Sequence, residues 1–159
     1  MKSSSSGQLE AADPPARHNL AFHLAALVGH WHVEGDVAET EHGPATRWRS
    51  EEHCEWLPGE CFLVNRWDAR VGDRPFEGMA VFGHDTESGY FATFYDNAGH
   101  HPTYLVTIEG NTWTLTGEAQ RATYEFAEDG NEVRIRWETK GDEGWQPLCE
   151  LQGRRGRSH

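Results

Sequence analysis

Glu52 is the residue whose neighbours in the sequence most strongly suggest chemistry. It alternates with Trp48, Ser50, Cys54 and Trp56 in a segment with a period of two, which predicts that all five share the inward face of a β-strand. A carboxyl group on such a face must be paired, hydrogen-bonded or kept neutral by a raised pKa. Two interpretations follow. Glu52 pairs with an inward arginine or lies among waters, or it binds a ligand or acts as a general base.

A second set of polar residues lies where a later strand ends. Asp96 closes that strand, His100 and His101 follow in the loop, and Tyr104 lies in the next strand. If the protein is an enzyme, we predict Glu52 or Asp96 as the general base of a cyclisation, isomerisation or hydrolysis. His101 or Tyr104 would then be the acid partner. The alternatives are that Asp96 supplies only turn chemistry and that the two histidines are exposed loop residues.

The other reactive side chains predict neither an activated nucleophile nor a metal site. There is no G-x-S-x-G elbow and no glycine-rich phosphate loop. Three cysteines without C-x-x-C spacing favour reduced thiols over a disulfide framework or zinc. They are Cys54, Cys61 and Cys149. His30 and His32 could form a metal pair on one strand face, but both point outward if Trp31 points inward. We therefore predict no metal and no cofactor.

The elements that must position these residues are short strands, which begin at Gly29 and continue almost to the end of the chain. Turn residues separate ten segments: His30–Val37, Thr46–Leu57, Cys61–Val71, Pro75–His84, Tyr90–Asp96, Pro102–Glu109, Thr112–Glu118, Arg121–Ala127, Glu132–Thr139 and Trp145–Gln152. Such short connections require antiparallel neighbours. Because an open sheet of this length would leave two exposed edges, we predict an all-β fold, a closed antiparallel up-and-down barrel of about ten strands. A two-sheet sandwich is the alternative.

The start of the chain is predicted to close one end of this barrel. Asp13-Pro14-Pro15 is a helix-start signal, and residues 16–28 mix helical and looser apolar spacing, which predicts a short N-terminal helix or 3₁₀ turn as a cap. Trp31 would plug this end, which we call the floor; the opposite end is the mouth. We predict a single barrel domain over residues 16–153, a disordered tail over 1–15 and a flexible basic tail over 154–159.

Strand parity then predicts a pocket inside the barrel. In most strands charged residues mark the outward face, whereas in residues 75–84 and 90–96 both faces are apolar and the facing stays open. The loops at the mouth are the longer and more polar ones. Aromatic walls with a few polar groups are typical of a small-molecule site. We predict that the ligand-binding residues are Trp48, Glu52, Asn65, Trp67, Asp96, His100, Tyr104, Tyr124 and Trp137.

An ordered series of short motifs resembles a known family. The series is Leu27-Val28-Gly29-His30-Trp31, Gly59-Glu60-Cys61-Phe62-Leu63-Val64, Pro75-Phe76-Glu77-Gly78, Phe82-Gly83-His84-Asp85, Phe94-Tyr95-Asp96 and Gly99. Over most of residues 20–152 the chain is similar to bacterial lipocalin-like proteins catalogued as a domain of unknown function. The resemblance implies a calycin-type barrel and no common activity. Nitrobindin-like haem barrels also begin with Gly-x-Trp, but this chain lacks their longer glycine-rich opening.

Charge and composition limit the partners. The formal charge of −12 disfavours nucleic acid and anionic membrane surfaces. No apolar leader or membrane-spanning run is visible, and the free thiols suit a reducing compartment, so we predict a cytoplasmic protein, either a monomer or a homodimer. The predicted function is binding of a small hydrophobic or aromatic molecule in the barrel. Acid/base catalysis in the same pocket is the alternative, and haem or metal binding is a minor one.

Overall fold

Alternating apolar and polar side chains fold the chain into ten strands. The computed structural model describes residues 21–156. A 3₁₀ helix, η1 (Phe22–Leu27), precedes strands β1 (Gly29–Val37), β2 (Thr46–Trp56), β3 (Phe62–Val71), β4 (Arg74–Asp85), β5 (Gly89–Asp96), β6 (Thr103–Glu109), β7 (Thr112–Thr116), β8 (Gln120–Phe126), β9 (Glu132–Gly141) and β10 (Gly144–Arg155). The ten predicted strands are confirmed, with ends that move by a few residues.

The sheet closes on itself. Every strand pairs antiparallel with its neighbours in sequence, and β10 returns to pair with β1. The register of this closing seam runs from Trp31 opposite Arg155 to Val37 opposite Cys149. The predicted barrel is therefore confirmed and the sandwich is not formed.

Trp31 and η1 close the floor, as predicted. Trp31 is 1% exposed, and its indole Nε1 donates a hydrogen bond of 2.8 Å to the carbonyl of Leu27. Leu24 and Leu27 of η1 are buried against the same end. The cap is a 3₁₀ helix, and the predicted helix start at residues 13–15 lies outside the described residues.

Arg155 corrects the predicted C-terminal boundary. Residues 154 and 155 were assigned to a flexible basic tail, but β10 continues through both. The guanidinium of Arg155 lies 4.4 Å from the centre of the Trp31 ring. It also donates hydrogen bonds to the carbonyls of Val28, Ala26 and Gly130. The barrel therefore extends to Arg155. The side chain of this residue binds η1 to the floor through its hydrogen bond to Ala26.

Packing divides the interior into two halves. Near the floor, side chains such as Phe82, Leu63 and Trp113 are almost fully buried and fill the barrel. Toward the mouth, inward aromatic side chains stay partly exposed, and this half is the part we call the lumen. Among the described residues no helix is long and apolar enough to cross a bilayer.

Candidate functional site

A chain of hydrogen bonds leads from the aromatic wall to Glu52. The indole Nε1 of Trp48 donates to Ser50 Oγ at 2.9 Å, and Ser50 Oγ donates to Glu52 Oε2 at 2.8 Å. From β3, Asn65 Nδ2 donates to Glu52 Oε1 at 3.1 Å. The period of two in β2 places Trp48, Ser50 and Glu52 on one face, and the β2–β3 register places Asn65 beside them. Both carboxyl oxygens are therefore held in position.

The environment of Glu52 makes its carboxyl group hard to ionise. Burial raises its pKa, and the hydrogen bonds from Asn65 and Ser50 oppose this only in part. The partners are neutral, and none of the ion pairs found between described residues includes Glu52. The predicted pairing with an inward arginine is therefore not what holds it.

Two buried polar atoms beside Glu52 have no hydrogen-bond partner within the described part of the protein. They are the amide oxygen Oδ1 of Asn65 and the indole Nε1 of Trp67. Both residues lie on the inward face of β3. A buried polar atom without a partner costs about 1–3 kcal/mol. The inward wall at β3 thus contains one acceptor and one donor that no described residue satisfies.

Glycine allows the Trp67 ring to lie close against the neighbouring strand, β4. Gly78 of β4 lies directly across from Trp67 in the strand register. A Cβ at Gly78 would come within 2.4 Å of the Trp67 ring and 2.3 Å of the carbonyl oxygen of Tyr95. The close approach fixes the indole against β4, and with it the position of the indole N–H.

Two phenylalanines, Phe76 and Phe94, join the aromatic side chains of the lumen. Phe94 packs against Tyr104, Trp137 and Trp67 with ring centres 5.3, 5.7 and 5.8 Å apart. Phe76 lies between Trp48 and Trp67, at 5.6 and 5.8 Å. Neither residue was predicted from the sequence, because each lies in a strand with two apolar faces. The charge of Glu77 could have predicted the facing of β4. A charged side chain favours the outward face, and its neighbour Phe76 must then point inward because side chains alternate along a strand.

Buried tyrosines complete the interior. Burial, helped by the charge of Asp96, raises the pKa of Tyr104 to about 12. Burial also raises the pKa of Tyr124 well above its ordinary value, and the next contribution is the charge of Glu52. Both phenols therefore stay protonated at neutral pH, and Tyr124 shares the interior with Glu52.

The mouth residues fall into a different arrangement. Asp96 Oδ1 accepts hydrogen bonds from the backbone N–H groups of Ala98 and His100, at 2.9 and 3.0 Å. Its other oxygen lies 3.2 Å from the ring of His100. His100 and His101 are exposed in the loop before β6. Asp96 thus holds its own turn, which is the alternative interpretation of this residue.

The predicted catalytic residues are Glu52, Asp96 and His101, and of these Glu52 alone takes part in the hydrogen-bond network with Trp48, Ser50 and Asn65. Asp96 contacts its loop, and no contact joins His101 to Glu52 within residues 21–156. What the arrangement can do chemically is to bind a flat apolar molecule and hydrogen-bond its polar edge. Acid/base chemistry here would depend on Glu52.

The histidine pair at the floor points away from the lumen, as parity predicted. His30 and His32 both contact the carboxyl group of Glu51 on the outer wall, at 3.0 and 2.5 Å. That hydrogen bond raises the pKa of His32. Within residues 21–156 no group of three or more His, Cys, Asp or Glu side chains is arranged to hold a metal ion.

Grooves also mark the outer wall. One of about 480 Å³ crosses β9, β10, β1 and β2 and is lined by charged side chains, among them Glu34, Arg134 and Arg154. A second, of about 310 Å³, lies beside it over β8 and β9. Both grooves are open to solvent.

A comparison with protein families shows the family to which the chain belongs. The model of a protein family of unknown function, DUF1579, matches residues 14–155, nearly the whole chain. The chain belongs to the DUF1579 family. The resemblance predicted from the motifs is thereby confirmed. Among curated proteins nothing matches this DUF1579 protein.

Two solved structures share the fold of this DUF1579 protein. One is Rv2717c from M. tuberculosis, at 15% identity, with a TM-score of 0.67 over 90% of this chain and 98% of that chain. The other is the S-type phycobiliprotein lyase CPES from Guillardia theta, at 11% identity, with a TM-score of 0.57 over 87% of this chain and 92% of that chain. At such identities the likeness establishes the lipocalin-like barrel of DUF1579 and no activity.

Proposed function

We propose that this protein binds a small hydrophobic or aromatic molecule in the lumen of its barrel. The observation that carries the proposal is a group of neighbouring aromatic rings that other side chains bury only in part. Trp31 and Trp113 are 1% exposed, whereas Trp48, Phe76, Phe94 and Trp137 are only partly buried. Apolar rings that surround a few convergent polar groups are the usual lining of a small-molecule site.

The fold supports the same proposal. Trp31 and η1 close one end of the barrel, so a ligand would enter through the other end. One structural neighbour is a phycobiliprotein lyase, so barrels of this shape occur in proteins that act on other molecules. The neutral surroundings of Glu52 favour an uncharged ligand.

Titration with N-phenyl-1-naphthylamine, an uncharged fluorescent probe, tests the proposal. Its emission is expected to rise on binding, with energy transfer from the tryptophans of the lumen. Trp137→Ala removes one ring of the wall and is expected to weaken binding by about three- to tenfold, since an aromatic contact contributes about 0.5–1.5 kcal/mol.

Trp145→Ala is the matched control. Trp145 stacks with Arg121, whose guanidinium lies 4.4 Å from its ring, and it is not part of the aromatic cluster of the lumen. This variant should bind the probe as the natural protein does. No response to this probe, to naphthalene or to biphenyl would exclude an apolar binding site.

A further inference from the structure

The most informative feature of the lumen is a pair of polar atoms without partners. Asn65 and Trp67 are 7% and 9% exposed, yet Asn65 Oδ1 and Trp67 Nε1 bond to nothing within the described residues. Folded proteins pair nearly all of their buried polar atoms. Two unpaired atoms of complementary kind, one acceptor and one donor, therefore indicate a shared partner.

The orientation of the Asn65 amide is set by Glu52. Asn65 Nδ2 donates to Glu52 Oε1, and the other carboxyl oxygen accepts from Ser50. In this orientation the other polar atom of the amide, Asn65 Oδ1, has no hydrogen-bond partner within the described residues.

The donor and the acceptor lie on the same wall. Asn65 and Trp67 are two residues apart in β3, so their Cα atoms are about 6–7 Å apart and their side chains point to the same face. Aromatic rings border this wall: Phe76 and Phe94 each lie 5.8 Å from the Trp67 ring. A flat molecule packed against these rings would present its edge to both polar atoms.

We infer that the ligand is a flat, uncharged molecule with an amide-like edge, whose N–H donates to Asn65 Oδ1 and whose carbonyl accepts from Trp67 Nε1. This inference rests on the proposed binding function and specifies its chemistry. An anionic group is disfavoured there because Glu52 is adjacent and its partners are neutral. A purely apolar ligand would leave both polar atoms unpaired.

A series of two-ring probes separates these possibilities in the full chain by calorimetry. Quinolin-2(1H)-one carries the amide-like edge, 1-methylquinolin-2-one lacks the donor, and naphthalene lacks both groups. Quinolin-2(1H)-one is expected to bind about tenfold more tightly than 1-methylquinolin-2-one and about a hundredfold more tightly than naphthalene, since each unpaired buried polar group costs about tenfold in affinity. This comparison needs no variant.

Trp67→Phe then tests the assignment, because it keeps an aromatic ring and removes the N–H. The affinity ratio of quinolin-2(1H)-one to naphthalene is expected to fall by about tenfold. Trp145→Phe, the same substitution on the outer wall, should keep the ratio. If Trp67→Phe does not fold, Asn65→Leu gives the corresponding test from the acceptor side.

The outcomes distinguish this inference from the proposed function. If naphthalene binds but the ratio is near one in the natural protein, or is unchanged in Trp67→Phe, water satisfies the two atoms and the inference fails alone. Tighter binding of the cation of 2-naphthylmethylamine would also overturn it, since Glu52 would then be the recognition group. If none of the probes binds, the proposed function fails as well.

Discussion

At the scale of single residues, Glu52 combines a carboxyl group with surroundings that disfavour its charge. Its hydrogen bonds come from Ser50 and Asn65, which carry no charge, and burial raises its pKa. The pKa of this group in the unfolded chain is near its ordinary value of 4.5. The folded protein therefore holds the Glu52 proton more strongly than the unfolded chain does, which links the protein's stability to pH.

Glu52→Gln should reveal this linkage. Since the folded pKa lies above the unfolded one, the stability that protonated Glu52 contributes is complete below about pH 4.5 and is lost as pH rises through the folded pKa. The free energy of unfolding of the natural protein should thus fall relative to Glu52→Gln over that window, by about 1.4 kcal/mol for each unit between the two pKa values.

Urea unfolding at a series of pH values from 4 to 8 makes the measurement. Glu55→Gln, on the outer wall of the same strand, controls for the loss of one formal charge. Parallel curves for the natural protein and Glu52→Gln would show that the fold does not raise the pKa of Glu52.

At the scale of elements, the side chain of Arg155 connects β10 to three other parts of the floor. It ends β10, donates to carbonyls of η1 and of the turn between β8 and β9, and lies over the Trp31 ring of β1. Hydrogen bonds from a charged donor and a cation–π contact both strengthen when they are shielded from water. The floor is thus held by a side chain as well as by apolar packing.

Arg155→Ala should destabilise the protein by roughly 2–4 kcal/mol, because it removes several charged hydrogen bonds and the contact with Trp31. Arg154→Ala is the matched control, since Arg154 lies on the outer wall, in the opposite parity of β10. Urea unfolding followed by tryptophan fluorescence measures both. An equal, small loss in the two variants would mean that η1 is held by Leu24 and Leu27 alone.

The sequence could predict the features of an element that depend on a local pattern, but not those that depend on contacts between distant residues. Glu52 was assigned inward because Trp48, Cys54 and Trp56 share its parity, a local pattern that needs no partner. Phe94 could not be assigned to the inward face, because both faces of β5 are apolar. Arg155 was assigned to a tail because its contact with Val28 spans 127 residues, and no local pattern reports such a contact.

For the candidate site as well, strand parity predicted some features and not others. Parity predicted which side chains face the lumen, and these include Trp48, Asn65 and Tyr104. Parity could not predict that the Asp96 carboxylate turns to its own loop, because loop hydrogen bonds depend on backbone conformation. Nor could it predict which inward polar atoms would lack partners, since that depends on side chains that meet across strands.

At the scale of the whole molecule, closure of the barrel depends on the seam between β1 and β10. The strands approach closely at Gly35, where a Cβ would lie 2.1 Å from the carbonyl oxygen of Glu150 and 2.7 Å from Cα of Leu151. These are backbone atoms and cannot move without moving β10. Glycine is therefore required at this position by space.

Gly35→Ala should destabilise the fold by roughly 1–3 kcal/mol or more, the usual cost of inserting a methyl group into a packed region. Gly43→Ala serves as its control, because a Cβ there meets nothing within 4 Å. Thermal unfolding of the two variants side by side makes the comparison. Equal melting temperatures would show that the seam can widen without loss.

The hydrogen bond from Gly156 N to His30 O, 2.6 Å long, places the end of the described chain beside its beginning at η1, both on the floor side. A fluorescent reporter or surface tether joined directly after Gly156 would thus attach on the floor side. A protein anchored to a sensor chip at this position would turn the opposite end of its barrel toward the flowing sample.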